Sequence, residues 1–172
     1  RRSSDLFDSQ TLVTTYDKVG NVRTVKDKRG IVTENLYDDL YRLTEQRRDN
    51  VRLVTNEYDD AGNRTATVDA ENNRVEYAYN SRNLLEKTTF IDGVDNFYAE
   101  QFYDGVGNVV SAFNEARQET VSTYDHENRK RTVTFAGEMS ENLYDAVGNL
   151  TTVYKPKRNS RVMSYDGLNR LE

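Results

Sequence analysis

Tyr16-Asp17-Lys18-Val19-Gly20-Asn21 is the stretch that decides the fold, because it returns. Tyr37-Asp38, Tyr58-Asp59, Tyr79-Asn80, Tyr103-Asp104, Tyr124-Asp125, Tyr144-Asp145 and Tyr165-Asp166 repeat its opening pair, at steps of 21, 21, 21, 24, 21, 20 and 21 residues. A fixed period of this length marks an array of one small structural unit. Within the first unit the Asp side chain can accept hydrogen bonds from backbone amides two residues on, and Gly20 supplies the positive φ that a tight turn needs. Val22-Arg23-Thr24-Val25 then reads as a short strand, Asp27-Lys28-Arg29-Gly30 as a second turn, and Ile31 to Leu36 as a strand leading into the next Tyr-Asp pair. One unit is therefore a hairpin feeding the next hairpin.

Later units keep the layout. The fourth position after each tyrosine reads Gly20, Tyr41, Gly62, Asn83, Gly107, Asn128, Gly148 and Asn169. Gly and Asn best tolerate left-handed backbone, and Tyr41 breaks that rule. The fifth position reads Asn21, Arg42, Asn63, Leu84, Asn108, Arg129, Asn149 and Arg170, so two turn types alternate and the full period approaches 42 residues. Midpoint turns fall at Arg48-Asp49-Asn50, Asp69 to Asn72, Asp92 to Asp95, Asn114 to Ala116, Ala136-Gly137-Glu138 and Lys155 to Asn159; the last holds the only proline, Pro156, where a missing N–H costs no ladder bond. Unit four is longer by three residues, which the Asp92-Gly93 loop absorbs.

Composition sets the architecture. Apolar residues make up 35% and charged residues 31% of the 172 residues, with mean hydropathy -0.90. That is too little apolar matter for a conventional single core, yet 12 Tyr, 6 Phe and many Val and Thr argue against disorder. Strand alternation is weak: Arg52, Val54, Asn56 and Tyr58 share one face. A thin sheet wetted on much of both faces fits. The net charge of -5 gives no pointer to nucleic acid, the absence of cysteine excludes disulfides and thiolate metal sites, and no apolar run approaches a membrane span. No signal peptide is recognisable. The chain starts without methionine, and both ends cut the repeat, so the expected native array is longer.

The pattern Tyr-Asp-x-x-Gly-Asn, strand, Asp-x-x-Gly, strand, Tyr-Asp-x-Leu-x-Arg-Leu resembles the Rhs/YD repeat. Tyr16 to Asn21, Tyr37-Asp38-Asp39-Leu40-Tyr41-Arg42-Leu43, Tyr144 to Thr151 and Tyr165 to Leu171 carry the resemblance most closely, and it covers essentially the whole chain. It implies a long β-sheet spiralling into a hollow shell. In bacterial polymorphic toxins and insecticidal toxin complexes such a shell encloses a C-terminal toxic domain; teneurins carry a related one. Carbohydrate binding is also attributed to YD repeats. The family's self-cleaving region and its variable toxin have no match here, so the resemblance supports neither autoproteolysis nor toxicity for this piece. It implies a secreted or cell-surface setting.

Candidate chemistry is sparse. The tyrosines could stack on sugars, though packing the wall and locking each turn is the simpler role. The repeated aspartates could bind calcium, with Asp92, Asp95 and Asn96 close in sequence, but no spacing matches a calcium loop. His126 stands alone beside Glu127, without a nucleophile pattern. Arg129-Lys130-Arg131 and Lys155-Lys157-Arg158 are short basic clusters suited to solvated faces. Asn63-Arg64-Thr65 and Asn149-Leu150-Thr151 match the glycosylation pattern but lie in the recurrent turn. A 42-residue double unit also fits a propeller blade, which needs apolar faces this composition does not supply; choline- or glycan-binding hairpin solenoids lean on Trp, absent here.

The expectation is thus an all-β antiparallel meander of 21-residue hairpins over residues 1–172, a curved open sheet of about 16 strands that forms part of a hollow shell. Its motif residues are Tyr16, Asp17, Gly20, Asn21, Tyr37, Asp38, Tyr58, Asp59, Gly62, Asn63, Tyr79, Tyr103, Asp104, Gly107, Asn108, Tyr124, Asp125, Tyr144, Asp145, Gly148, Asn149, Tyr165 and Asp166. No catalytic residue, metal or cofactor is expected. Expected partners are the rest of the shell and an enclosed toxin domain, with cell-surface carbohydrate as the alternative. Unpaired edge strands predict edge-to-edge self-association.

Overall fold

A computed structural model describes residues 11–93, 96–156 and 159–172. Val94, Asp95, Lys157 and Arg158 lie outside the described residues, and with them part of the Asp92–Asn96 calcium candidate, of the longer midpoint loop and of the second basic cluster. The described residues carry fifteen strands: β1 Val13–Tyr16, β2 Val22–Lys26, β3 Val32–Tyr37, β4 Leu43–Arg48, β5 Val51–Tyr58, β6 Arg64–Asp69, β7 Arg74–Tyr79, β8 Leu85–Ile91, β9 Phe97–Tyr103, β10 Val109–Phe113, β11 Glu119–Tyr124, β12 Lys130–Phe135, β13 Glu138–Tyr144, β14 Leu150–Tyr154 and β15 Ser160–Val162. Strand order in the sheet is chain order, open and without a crossover, which excludes the four-stranded grouping a propeller would need. No α-helix occurs among the described residues.

Two compact units divide the chain, Arg1–Tyr77 with Phe90–Asp95 and Ala78–Thr89 with Asn96–Glu172. Seven of the eight motif tyrosines end a strand, and Tyr165 forms an isolated bridge to Leu171, so within each unit the Tyr-Asp turns sit at one end of the strands and the midpoint turns at the other. The pairings are antiparallel, as linkers this short require.

Burial is shallow in both units. Ala66 in the first and Ser122 in the second are the buried residues among those described, and most strand positions are intermediate. The sheet has one layer and no core of its own, as the composition implied. Its stability must come from ladder bonds, side-chain bonds and partial burial spread along the strands.

Six hairpins share an irregularity. Pairing jumps by one residue just before the tyrosine, leaving Arg23, Thr44, Thr65, Val110, Arg131 and Thr151 as the extra residues of the return strands. These are β-bulges, which locally disrupt the ladder and sharpen the twist.

Candidate functional site

The recurrent Tyr-Asp turn is the only element of the sequence pattern with enough constancy to be a site, and it builds from the backbone up. In all eight turns the residue after the tyrosine donates its N–H to the carbonyl of the residue four on, at 2.9–3.0 Å, and its own carbonyl accepts from the residue three on, at 2.9–3.3 Å. Its side chain completes the ring: Oδ1 of Asp17 accepts from the amides of Val19 and Asn21, both at 2.9 Å, and the amide four residues on reaches the equivalent oxygen in every turn at 2.8–3.1 Å. Asn80 does the same work as the aspartates, since its Oδ1 also accepts from Arg82 and Leu84.

The second carboxylate oxygen explains the alternation at position five. Asn21, Asn63, Asn108 and Asn149 donate Nδ2 to Oδ2 of Asp17, Asp59, Asp104 and Asp145 at 2.9–3.0 Å. Arg42, Arg129 and Arg170 donate Nε to Oδ2 of Asp38, Asp125 and Asp166 at 2.7 Å. These bonds hold the carboxyls below the usual carboxylate range. The side chains of Asn63 and Asn108 are the main cause at Asp59 and Asp104, and the backbone amides of Arg42 and Arg170 at Asp38 and Asp166. At Asp17, Asp125 and Asp145 partial desolvation pushes upward, and the hydrogen bonds of the turn outweigh it.

Position four follows position five. Gly20, Gly62, Gly107 and Gly148 have φ of 96°, 92°, 101° and 97°, beyond the left-handed region that side chains tolerate. Asn83, Asn128 and Asn169, at 59°, 60° and 59°, stay inside it. Tyr41 has φ 63°, so it makes the same turn as the asparagines despite its side chain; the hydrogen bonds of Asp38 over-determine the backbone there.

Each hairpin is tied to the one before by the tyrosine itself. The ladder between β2 and β3 begins at Thr24 and Glu34, leaving the Val22 carbonyl beyond the paired residues. The Tyr37 hydroxyl donates to that carbonyl at 2.9 Å, and Asn35 Nδ2 donates to it as well at 2.9 Å. Tyr58 reaches Leu43, Tyr103 reaches Leu85, Tyr124 reaches Val109, Tyr144 reaches Lys130 and Tyr165 reaches Leu150, at 2.6–3.1 Å. Asn56 and Asn142 repeat the role of Asn35. In five of the six clamps the acceptor directly precedes the extra bulge residue of the preceding hairpin. Burial, then the Glu86 charge, raises the Tyr103 phenol above its usual range, so the donor stays protonated.

The arginine type adds a further link. Arg42 lies 4.7 Å from the Tyr58 ring centroid and donates Nη1 to the Asp59 carbonyl at 2.9 Å; Arg129 lies 4.6 Å from the Tyr144 ring. Asn108 and Asn149 in turn donate to Oδ1 of Asn128 and Asn169, at 3.0 and 3.1 Å. Two of the three Arg-type turns thus dock on the Gly-Asn turn that follows them, and two of the Gly-Asn turns on the turn after them.

The remaining candidates do not assemble into chemistry. His126 is 86% exposed and 3.7 Å from Glu127. Arg129 and Arg131 are paired with Asp125 and Glu127 and with Glu141. Among the described residues no group of three His, Cys, Asp or Glu could hold a metal ion. The amides of Asn63 and Asn149, the glycosylation candidates, are donors within their turns.

No protein-family model matches the chain, and no curated protein matches it. Solved structures do. The chain is similar to TcdB2-TccC3 without its hypervariable C-terminal region, with TM-score 0.81 at 19% identity over 94% of this chain. It is similar to TcdB2-TccC3, with TM-score 0.78 at 18% identity over 93%. The Tc holotoxin pore of Photorhabdus luminescens gives 0.78 at 18% over 94%. The chain spans 10% of the length of each. At this identity the likeness establishes the fold, and that fold is consistent with the Rhs/YD repeat that the sequence resembles.

Proposed function

We propose that this chain is a wall segment of an Rhs/YD-type shell that encloses a toxin or effector domain and delivers it, acting without catalysis of its own. The observation that carries the reading is the hydroxyl clamp: six tyrosines tie successive hairpins into a single layer in which only Ala66 and Ser122 are buried among the described residues. A layer with no core of its own is suited to separating two spaces. The likeness to Tc toxin structures, one of them described by the absence of a hypervariable C-terminal region, supports the same reading. On it, residues 1–172 are one repeat array and the 23 motif residues named above are its structural set. Its partners are further repeats and an enclosed C-terminal domain, and its setting is secreted or at the cell surface. Nothing in the site favours the carbohydrate alternative: six motif hydroxyls are spent on backbone carbonyls, and arginines cover the rings of Tyr58 and Tyr144.

Limited proteolysis of the full-length protein tests this. A domain flanking the array is expected to resist protease while the wall is intact and to become cleavable when Tyr124 and Tyr144 are both replaced by Ala. Equal cleavage before and after overturns the wall reading.

A further inference from the structure

Two bulky side chains stand in left-handed backbone three residues after the opener of a five-residue turn, Arg117 at φ 59° and Tyr41 at φ 63°. Arg117 is held by its partners: Nη1 donates to Glu100 at 2.7 Å, and the guanidinium lies 4.6 and 4.8 Å from the Tyr98 and Phe113 ring centroids. Tyr41 has no such partners. Among the described residues its ring meets no other ring or cation and its hydroxyl makes no hydrogen bond, and it is 58% exposed. Strained backbone of this kind is concentrated at functional sites. The asparagines that hold this position elsewhere are engaged. Oδ1 of Asn128 and of Asn169 accepts from Nδ2 of Asn108 and Asn149, which bonds each turn to the one before it. Asn21, in the turn before Tyr41, donates Nδ2 to Asp17 alone among the described residues. A cleft of about 270 Å³ opens between these two turns, lined by Asp17, Arg23, Tyr37, Asp38 and Tyr41 among others. Arg23 is its second unengaged group. Arg131, the extra bulge residue of a later hairpin, donates to Glu141 at 3.1 Å. Arg23 is the extra residue of its own hairpin, and Glu34 stands opposite Thr24 as Glu141 stands opposite Thr132. Yet Arg23 makes no ion pair or hydrogen bond among the described residues, and it lines the cleft instead.

We propose that this cleft binds a small planar carboxylate, an aromatic acid with a single negative charge, with Arg23 taking the carboxylate and Tyr41 stacking on the ring. The two unengaged groups ask for that pair. A guanidinium fork matches a carboxylate with two parallel hydrogen bonds, and an exposed tyrosine offers a flat face to another ring. Asn21 adds a donor at the same junction, the second hydrogen of Nδ2, which Asn108 and Asn149 give to the following turn. Asp17 and Asp38 line the same cleft with oxygens already bonded within their own turns, and their charges select against a ligand carrying more than one negative charge. The volume sets the size. It falls just below the roughly 300–1,000 Å³ of pockets that take drug-sized ligands, which suits one ring and its acid group. Tyr41 on this account keeps a backbone conformation that asparagine would adopt more easily, because asparagine would bond the two turns together and close the cleft. The proposal rests on the cleft alone, whether or not the array forms a shell.

Titration of the 172-residue chain with benzoate, followed by NMR amide chemical shifts, tests it, with benzamide and acetate as comparison probes and Arg23→Gln and Tyr41→Asn as variants. Benzoate is expected to shift the amides of Arg23 and Tyr41 and to saturate with Kd of about 1 mM, the scale open to a ligand of so few atoms. Benzamide keeps the ring without the charge and acetate the charge without the ring; each should bind about tenfold more weakly or worse. Arg23→Gln should weaken benzoate by about tenfold and leave the thermal melt unchanged. Tyr41→Asn introduces the residue found at Asn128 and Asn169. It should raise the melting temperature and abolish binding, so that lost binding cannot be lost folding. The absence of a saturable shift overturns the proposal. So does benzamide or acetate binding as well as benzoate, and so does benzoate binding that survives either substitution, the mark of an adventitious anion only. A Tyr41→Asn chain that melts lower also overturns it, since the ring would then be holding the fold rather than waiting for a ligand.

Discussion

Among the described residues, the eight turns that follow a motif tyrosine share one pattern of backbone hydrogen bonds, whereas the turns at the opposite ends of the strands use two. Asp27, Asp69 and Asn114 open five-residue turns with the same bonds as the Tyr-Asp turns. Asp49-Asn50 and Ala136-Gly137 are two-residue hairpins with positive φ at both central residues. The difference follows from what each turn touches. A Tyr-Asp turn holds its own side-chain ring, leads in six copies into the carbonyl that takes the next tyrosine's hydroxyl and, in five of its eight copies, receives the guanidinium or amide of a neighbour. A midpoint turn only has to reverse the chain. Its contacts to neighbours vary from place to place, as with Val32 on Asp49 or Arg117 on Glu100. Constancy here measures how many partners a turn serves.

The largest expected effect separates the two ends by acid. Seven carboxyls at the Tyr-Asp end are held below the usual range, Asp17, Asp38, Asp59, Asp104, Asp125, Asp145 and Asp166, against two at the midpoint end, Asp27 and Asp69. A carboxyl whose folded pKa is depressed contributes stability that is present above its unfolded value, about 3.9, and is lost as pH falls through the folded value. Circular dichroism melts from pH 7 to 2 should therefore hold steady down to about 4 and then collapse. Replacing Asp27 and Asp69 by Asn, which Asn80 and Asn114 show to be an adequate turn opener, should leave most of that acid slope. A slope abolished by this pair would break the comparison.

Next in size is the glycine at position four. At φ near 100° a β-branched side chain is strained whatever space surrounds it, and the sites at Gly107 and Gly148 are open apart from Leu84 and Arg129. Gly107→Val and Gly148→Val should each cost about 1–3 kcal/mol, while Asn128→Gly, at φ 60°, introduces no strain and should cost only the hydrogen bond from Asn108, about 0.5–1 kcal/mol. Equal effects at both would show that the two turn types are not distinct.

The hydroxyl clamp predicts a smaller step. Tyr124→Phe leaves the Val109 carbonyl without its side-chain donor and should cost about 1 kcal/mol. Tyr37→Phe should cost less, because Asn35 still donates to Val22. Tyr154→Phe, at the midpoint end and half exposed, should fall within about 0.5 kcal/mol. Chemical denaturation of the three variants checks the ranking.

What could be read in the sequence follows the same division. The eight turns and the positive φ of Gly20, Gly62, Gly107 and Gly148 were legible because backbone conformation there demands particular residues. The bulges were not, since Arg23, Thr44, Thr65, Val110, Arg131 and Thr151 share no chemistry; an extra residue is a matter of register. The acceptor of each tyrosine was hidden for the same reason, being a backbone carbonyl some 15 residues earlier. Asn35, Asn56 and Asn142, two residues before their tyrosines, were a visible signal that went unused. The strand count expected, about sixteen, exceeds the fifteen described, and Tyr41 shows a local preference overridden by the bonds around it.

The smallest expected effect is a gain, and it belongs to the midpoint end. Ala136 stands at φ 49° in a two-residue hairpin followed by Gly137 at 78°. Alanine has no side-chain bond to offset the left-handed backbone, which costs an ordinary residue about 1–2 kcal/mol. Asparagine tolerates that region, and Asn-Gly is the preferred pair for this turn. Phe135 and Glu138 already pair across it, so the change asks nothing of the strands. Ala136→Asn should therefore stabilise the chain by about 0.5–1 kcal/mol, a rise of roughly 2 °C in Tm for a chain of this size. Because midpoint turns serve few neighbours, that gain should add to the losses at Tyr124 or Gly107 in double variants. A melt that falls, or a gain that vanishes when Tyr124 is also changed, would mean that the midpoint turns are as bound to their neighbours as the Tyr-Asp turns are.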